Sequence, residues 1–159
     1  MSETATIHMT GALEPRDGWT ADRCPMAHAL DVLRNRSAFL VMREAFYGAT
    51  RFDEFVARTE LSEPVAAARL RKLTDAGLLE REPYQEPGQR TRHAYRLTEK
   101  GADLLPALVA LMQWGDKWVL PGGARVEIRH EGCGGAVHAE LRCAHGHDVD
   151  DGELELARR

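Results

Sequence analysis

With 159 residues and an apolar share of 43%, the chain can bury one core of ordinary size and still carry appendages. No run approaches the roughly 18 apolar residues of a membrane helix, and the N-terminus lacks the apolar stretch of a secretory signal, so a soluble, cytoplasmic protein is expected. A net charge of −4 excludes a generic nucleic-acid coat but not specific DNA recognition, which depends on the field at the contact face.

In chain order, residues 1–21 are polar and irregular, with Gly11, Pro15 and Gly18, and read as a flexible arm pinned by Trp19. A helix is predicted over 25–33, because Pro25 suits a first turn and Ala29, Leu30 and Leu33 supply an inner face. The next, over 38–46, has Ser37 as its cap and is apolar nearly throughout (Phe39, Leu40, Val41, Met42, Phe46), so it should lie at the centre. Thr50-Arg51-Phe52-Asp53 matches a capping box and opens a short helix ending at Arg58. A further helix over 63–76 follows Ser62, a good N-cap residue, and places Ala66, Leu70 and Leu73 on one buried stripe. Gly77 stands where a C-terminal capping glycine belongs.

Two strands are predicted over 79–84 and 92–97, joined through the turn pair Pro87-Gly88. Thr98 then caps a helix reaching about residue 119, in which Pro106 sets a kink or a late start. The expected architecture is mainly α with a β-hairpin wing, a winged helix-turn-helix. It comprises an arm (1–21), a DNA-binding and dimerisation domain (22–119) and a β-rich extension with an acidic tail (120–159). Within the extension, 124–130 and 136–143 alternate like the strands of a small hairpin.

The helix over 63–76 turns Pro64, Ala67, Ala68, Arg71 and Lys72 away from its buried stripe. Small side chains let a backbone approach the major groove, and the cations behind them reach bases or phosphates. Arg71 is the expected reader of a guanine edge. Ser62, Lys72 and Arg51 join it on the duplex, and Arg90, Thr91 and Arg92 contribute from the wing. Between Arg69 and Arg96 seven cations stand against four acids, whereas five acids fall between Asp148 and Glu155.

Several ordered motifs across 22–119 resemble the HxlR-type regulators, a branch of the MarR-like winged-helix proteins. They are Cys24-Pro25 opening a helix, Arg51-Phe52-Asp53-Glu54-Phe55, and Leu70-Arg71-Lys72-Leu73-Thr74-Asp75-Ala76-Gly77-Leu78-Leu79-Glu80-Arg81. Tyr95-Arg96-Leu97-Thr98-Glu99-Lys100-Gly101 and Gln113-Trp114-Gly115-Asp116-Lys117-Trp118 complete the set. The resemblance implies a homodimeric bacterial transcription regulator, of repressor type, on double-stranded DNA sites with twofold symmetry. Arg34-Asn35-Arg36-Ser37 departs from the Gly-Gly-Lys-Trp-like segment usual in the family, a change that bears on core packing or a ligand pocket more than on DNA contact.

Leu104, Leu108, Leu111, Met112, Trp114 and Trp118 make more apolar surface than one small domain readily covers, which points to a dimer through that helix. Closing the subunit's own core is the alternative. Cys24 precedes a helix start, where amides and the dipole favour a thiolate; in some relatives a cysteine at this place senses oxidants or electrophiles, and a small-molecule effector is a further expectation. The alternative is a buried structural cysteine.

No cofactor is expected. His130, Cys133, Cys143 and His147, with His145, are metal-capable types, and some family members carry a zinc-ribbon-like tail. The closely paired cysteines of a strong zinc signature are missing, however, which favours a metal-free hairpin. The three cysteines are expected as thiols or ligands rather than disulfides. No nucleophile, phosphate loop or paired acid motif marks an enzyme. A winged-helix module for protein–protein contact is the alternative function.

Overall fold

The computed structural model describes residues 7–9, 20–88, 90–150 and 152–157. Its elements are β1 (His8–Met9), α1 (Pro25–Leu33), α2 (Arg36–Phe46), α3 (Phe52–Thr59), α4 (Glu63–Asp75), β2 (Leu79–Tyr84), β3 (Arg92–Leu97), α5 (Glu99–Ala102), α6 (Leu105–Trp118) and β4 (Glu155–Leu156). These fall into two units: Asp22–Met112, and Met1–Ala21 with Gln113–Arg159. The division lies inside α6 rather than after residue 119. Most of the N-terminal arm, including Trp19, is outside the described residues.

In the first unit the apolar run of α2 sits at the centre, packed on α3 and α4. Val41, Met42, Phe55 and Leu70 are wholly buried, each worth about 1.5–3 kcal/mol of transfer free energy. Ala66, Leu70 and Leu73 form the buried stripe of α4, as the periodicity requires.

Two helix starts differ from expectation. Asn35, not Ser37, caps α2: its Oδ1 accepts from the Ala38 amide at 3.2 Å and from the Ser37 hydroxyl at 2.7 Å. Ser37 already lies inside the helix, where its side chain cannot meet the free amides. At α3 the box is displaced by one residue, since the Glu54 carboxylate accepts from the amides of Arg51 (3.0 Å) and Thr50 (2.9 Å). Glutamate is the residue long enough to reach back to the cap amide, and Asp53 is not.

The end of α4 follows the sequence closely. Gly77 takes φ +73°, with its amide on the Thr74 carbonyl and the Leu78 amide on the Leu73 carbonyl, a Schellman arrangement. β2 and β3 then pair antiparallel from Leu79 opposite Leu97 to Tyr84 opposite Arg92, closed by Pro87 and Gly88. Residues 50–51 add a third edge: Arg51 bridges Ala94, and the Tyr95 amide donates to the Thr50 carbonyl at 2.7 Å.

Thr98 caps α5, accepting from the Gly101 amide at 3.0 Å while its hydroxyl donates to the Gly77 carbonyl at 2.6 Å. The helix expected from the Thr98 cap to about residue 119, with a kink or late start at Pro106, is divided in two, α5 and α6. Pro106 is the second residue of α6, a position where its missing N–H leaves no bond unmade.

In the second unit the Gln113 side chain holds a peptide segment, donating to the Val137 carbonyl at 2.7 Å and accepting from the Ala139 amide at 2.9 Å. The two predicted strands of the extension reduce to single bridges, Arg129 with Ala136 and Arg142 with Asp148. The start of 136–143 pairs back on 128–130, while a turn at Gly146, φ +85°, pairs its end, Leu141 to Cys143, with 147–149, so the segment is shared between two short turns and forms no single strand. β1 and β4 pair in parallel.

Candidate nucleic-acid interface

Helix α4 follows α3 after a turn in which Glu60 takes the left-handed conformation. Burial of Ala66, Leu70 and Leu73 fixes its rotation, and Pro64, Arg71 and Lys72 are consequently exposed, with Ala67 and Ala68 half-buried between them. Ser62 occupies the N-cap position but its side chain makes no cap bond. That leaves an exposed hydroxyl at the helix start, beside the small-residue face.

The wing carries Arg90, Thr91 and Arg92, all exposed. Among the described residues Arg71, Lys72, Arg90 and Arg92 enter no ion pair, in contrast to Arg58, bonded to Glu54 at 3.2 Å, and Arg96, bonded to Glu82. Arg51 is also held: its guanidinium lies 5.1 Å from the centroid of the Tyr84 ring and 2.9 Å from the Glu86 carboxylate. Sequence reasoning named Arg51 but missed this clamp. Placing Arg51 as a short third strand beside β3 would have brought both partners within reach.

Beneath the interface, the amides of Arg51 and then Thr50 hold the Glu54 carboxyl below its ordinary value, with smaller help from Arg58 and Arg51 as charges. The anion therefore stabilises the first turn of α3, the helix that supports α4. Phe55 and Tyr95 pack edge to face, with centroids 6.1 Å apart, and tie the same helix to the wing.

The α6 residues separate by burial. Leu108 is 4% exposed and belongs to the subunit core; Leu104 packs against that core. Met112 is half-buried, with its sulfur 3.9 Å from the Tyr47 hydroxyl. Leu111 is 49% exposed, and in the second unit Trp114 and Trp118 are 58% and 67% exposed. Of these six residues, Leu111, Trp114 and Trp118 are the exposed ones.

Cys24 is half-buried immediately before α1, with its carbonyl accepting from the His28 amide at 3.1 Å. The metal-capable residues of the extension lie on two turns. His130 Nδ1 is 3.2 Å from Cys133 Sγ, and Cys143 faces His147 through a backbone bond of 3.0 Å. Among the described residues no three or more His, Cys, Asp or Glu side chains stand together as a metal-binding group requires. No helix among them is long and apolar enough to cross a membrane.

Residues 32–122 match the model of the HxlR-like helix-turn-helix family. The HTH-type transcriptional regulator Rv3095 of Mycobacterium tuberculosis is 40% identical over 121 residues, covering 76% of this chain and 75% of that protein. Among solved structures, PA1607, a candidate transcription factor, aligns with a TM-score of 0.76 at 34% identity, over 87% of this chain and 96% of its own. The redox regulator HypR in its reduced form aligns with a TM-score of 0.53 at 26% identity, over 58% of this chain and 91% of its own.

Proposed function

The chain belongs to the HxlR-like helix-turn-helix family and is a transcriptional regulator of that type, not an enzyme, and on that premise we propose that it acts as a homodimeric repressor on twofold-symmetric DNA. In this reading α4 enters the major groove, with Arg71 on a base edge and Pro64, Ala67 and Ala68 admitting the backbone. Lys72, Ser62 and Arg51 hold phosphates, and Arg90, Thr91 and Arg92 hold the flanking backbone or minor groove. The carrying observation is that four cations of α4 and the wing enter no ion pair among the described residues, while their neighbours Arg51, Arg58 and Arg96 do.

The dimer is formed through α6, with Leu111, Trp114 and Trp118, spaced i, i+3 and i+7, as the contact. Two copies bring two recognition helices to successive turns of the duplex, which occludes promoter DNA from polymerase. Retention of genomic fragments by the purified protein, against random duplex of equal length, tests the reading. Preferential retention of a few fragments at two chains per site is expected. Equal retention of all duplexes contradicts it.

Likeness to the redox regulator HypR favours a second element, an oxidant or electrophile signal read at Cys24. Cys24 stands half-buried immediately before the first turn of α1. DNA release by peroxide or quinone should be lost in Cys24→Ser; release unchanged in that variant removes Cys24 from the mechanism.

A further inference from the structure

Helix α4 is fastened from outside at its C-terminal end. At its start Ser62 makes no side-chain cap bond. At its finish the cap and first turn of α5, which follow the whole wing in sequence, take up three successive carbonyls. Lys100 Nζ donates to the Ala76 carbonyl at 2.7 Å, the Thr98 hydroxyl to that of Gly77 at 2.6 Å, and the Thr98 amide to that of Leu78 at 3.1 Å. The last carbonyls of a helix lack intrahelical partners and carry partial negative charge, so an ammonium placed there both bonds and offsets the dipole.

Of these three bonds, only that of Lys100 reaches the helix itself, at its C-cap residue Ala76. Those of Thr98 end on the two residues leading into β2. Lys100 enters no ion pair among the described residues. It borders an apolar cavity with Leu33, Leu78 and Leu104, a setting in which a lysine lays its stem on apolar surface and turns its head to a polar group at the edge. Only Asp103 and Leu104 separate α5 from α6. The Leu104 amide donates to the Gly101 carbonyl at 3.2 Å and the Leu108 amide to the Leu104 carbonyl at 3.1 Å. Leu108 is buried in the core, so the base from which Lys100 extends is fixed.

We propose that Lys100 is a positioning residue for base reading: it touches no DNA, and by gripping Ala76 it fixes the direction in which α4 enters the groove. The inference rests on the DNA-binding reading above. A side chain reads a base edge only while its helix is held to about 0.5 Å by the residues behind it. Random duplex is held through phosphates by long side chains that follow a small displacement of the helix. Loss of the grip therefore diminishes preference rather than general affinity.

The test compares the full wild-type chain with Lys100→Met, which keeps the stem and removes the donor, and Lys100→Arg, which restores a donor. Fluorescence anisotropy at several salt concentrations gives affinity for a genomic fragment selected by wild type and for random duplex of equal length. In Lys100→Met the ratio of the two affinities should fall about fivefold or more, the lower end of what one base-edge contact is worth. Affinity for random duplex and its salt slope should stay as in wild type. Lys100→Arg should recover most of the ratio. Should Lys100→Met fail to fold by circular dichroism, Lys100→Gln, one bond shorter, is read in its place with the same expectation.

An unchanged ratio in the donor-less variant, equal weakening of both duplexes included, overturns the inference. So does a salt slope lowered by about one unit, because Lys100 would then itself hold a phosphate. Lys100→Arg no better than Lys100→Met overturns it as well, since the donor would not be what matters. Wild type binding both duplexes equally contradicts the DNA-binding reading itself, whereas a preference that survives loss of the donor contradicts this inference alone.

Discussion

The guanidinium of Arg51 meets the carboxylate of Glu86 at 2.9 Å, so a cation suited to a phosphate is occupied by an acid of the wing. Both side chains are about half exposed, 48% and 49%, and such a pair is worth under about 1 kcal/mol. It is therefore easily exchanged for a phosphate, but the exchange diminishes what Arg51 adds to binding. Glu86→Gln should tighten binding to all duplexes several-fold and steepen the salt dependence by about one unit of log–log slope. Affinity and slope from fluorescence anisotropy at several salt concentrations check this; an unchanged slope would mean that Arg51 touches no phosphate.

The join of wing and helix α5 depends on Gly101. A Cβ built there would lie 2.1 Å from the Leu78 carbonyl oxygen, a backbone atom immediately before β2. Gly101→Ala must push α5 away from the wing, and overpacking of this kind costs about 1–3 kcal/mol or more. A thermal midpoint unchanged from wild type would contradict the packing at this corner.

Glu54 makes part of the stability dependent on pH. Its folded carboxyl binds a proton less tightly than the ordinary value of 4.5, chiefly because the Arg51 and Thr50 amides donate to it. The stabilisation is accordingly present in full above that value and lost as pH falls through the lowered one. Glu54→Ala should cost about 1 kcal/mol at neutral pH, within the range of a helix-capping device, and the difference from wild type should shrink in acid. Denaturant melts at neutral and acidic pH measure it; a difference that grows in acid would reverse the assignment.

Much of this was legible in the sequence for local reasons. The stripe Ala66, Leu70 and Leu73, the Gly77 cap, the Pro87-Gly88 turn and the Thr98 cap each depend on neighbours a few residues away, and those neighbours are in the sequence. What failed depended on competition or on distance. Asn35 and Ser37 both suit a cap, and only the helix start chooses between them. The clamp on Arg51 and the bond from Lys100 to Ala76 join residues that meet only once strands have paired. Leu108 and Leu111 look alike in sequence, yet one is buried in the core and the other exposed, because the rotation of α6 decides. In the extension, alternation promised long strands, but Gly146 and the turn at 130–135 bend the segment before a ladder can grow.

The exposed tryptophans test the dimer. Trp114 and Trp118 add little to the subunit core, so Trp114→Ala and Trp118→Ala should leave the thermal midpoint nearly unchanged at high protein concentration. If α6 forms the contact, each should weaken dimerisation by about 2 kcal/mol or more, as aromatic anchors in interfaces do. Sedimentation over a concentration series reads this directly, and dimers of wild-type strength in both variants would place the contact elsewhere.

The central claim is that α4 reads bases while the wing holds backbone. Selection of bound duplexes from a randomised library, by wild type, Arg71→Ala and Arg90→Ala in parallel, addresses it most directly. The account predicts a twofold-symmetric consensus for wild type, loss of preference at one base pair per half-site for Arg71→Ala, and an unaltered consensus with uniformly weaker binding for Arg90→Ala. An identical consensus from wild type and Arg71→Ala, or none from wild type, would contradict it.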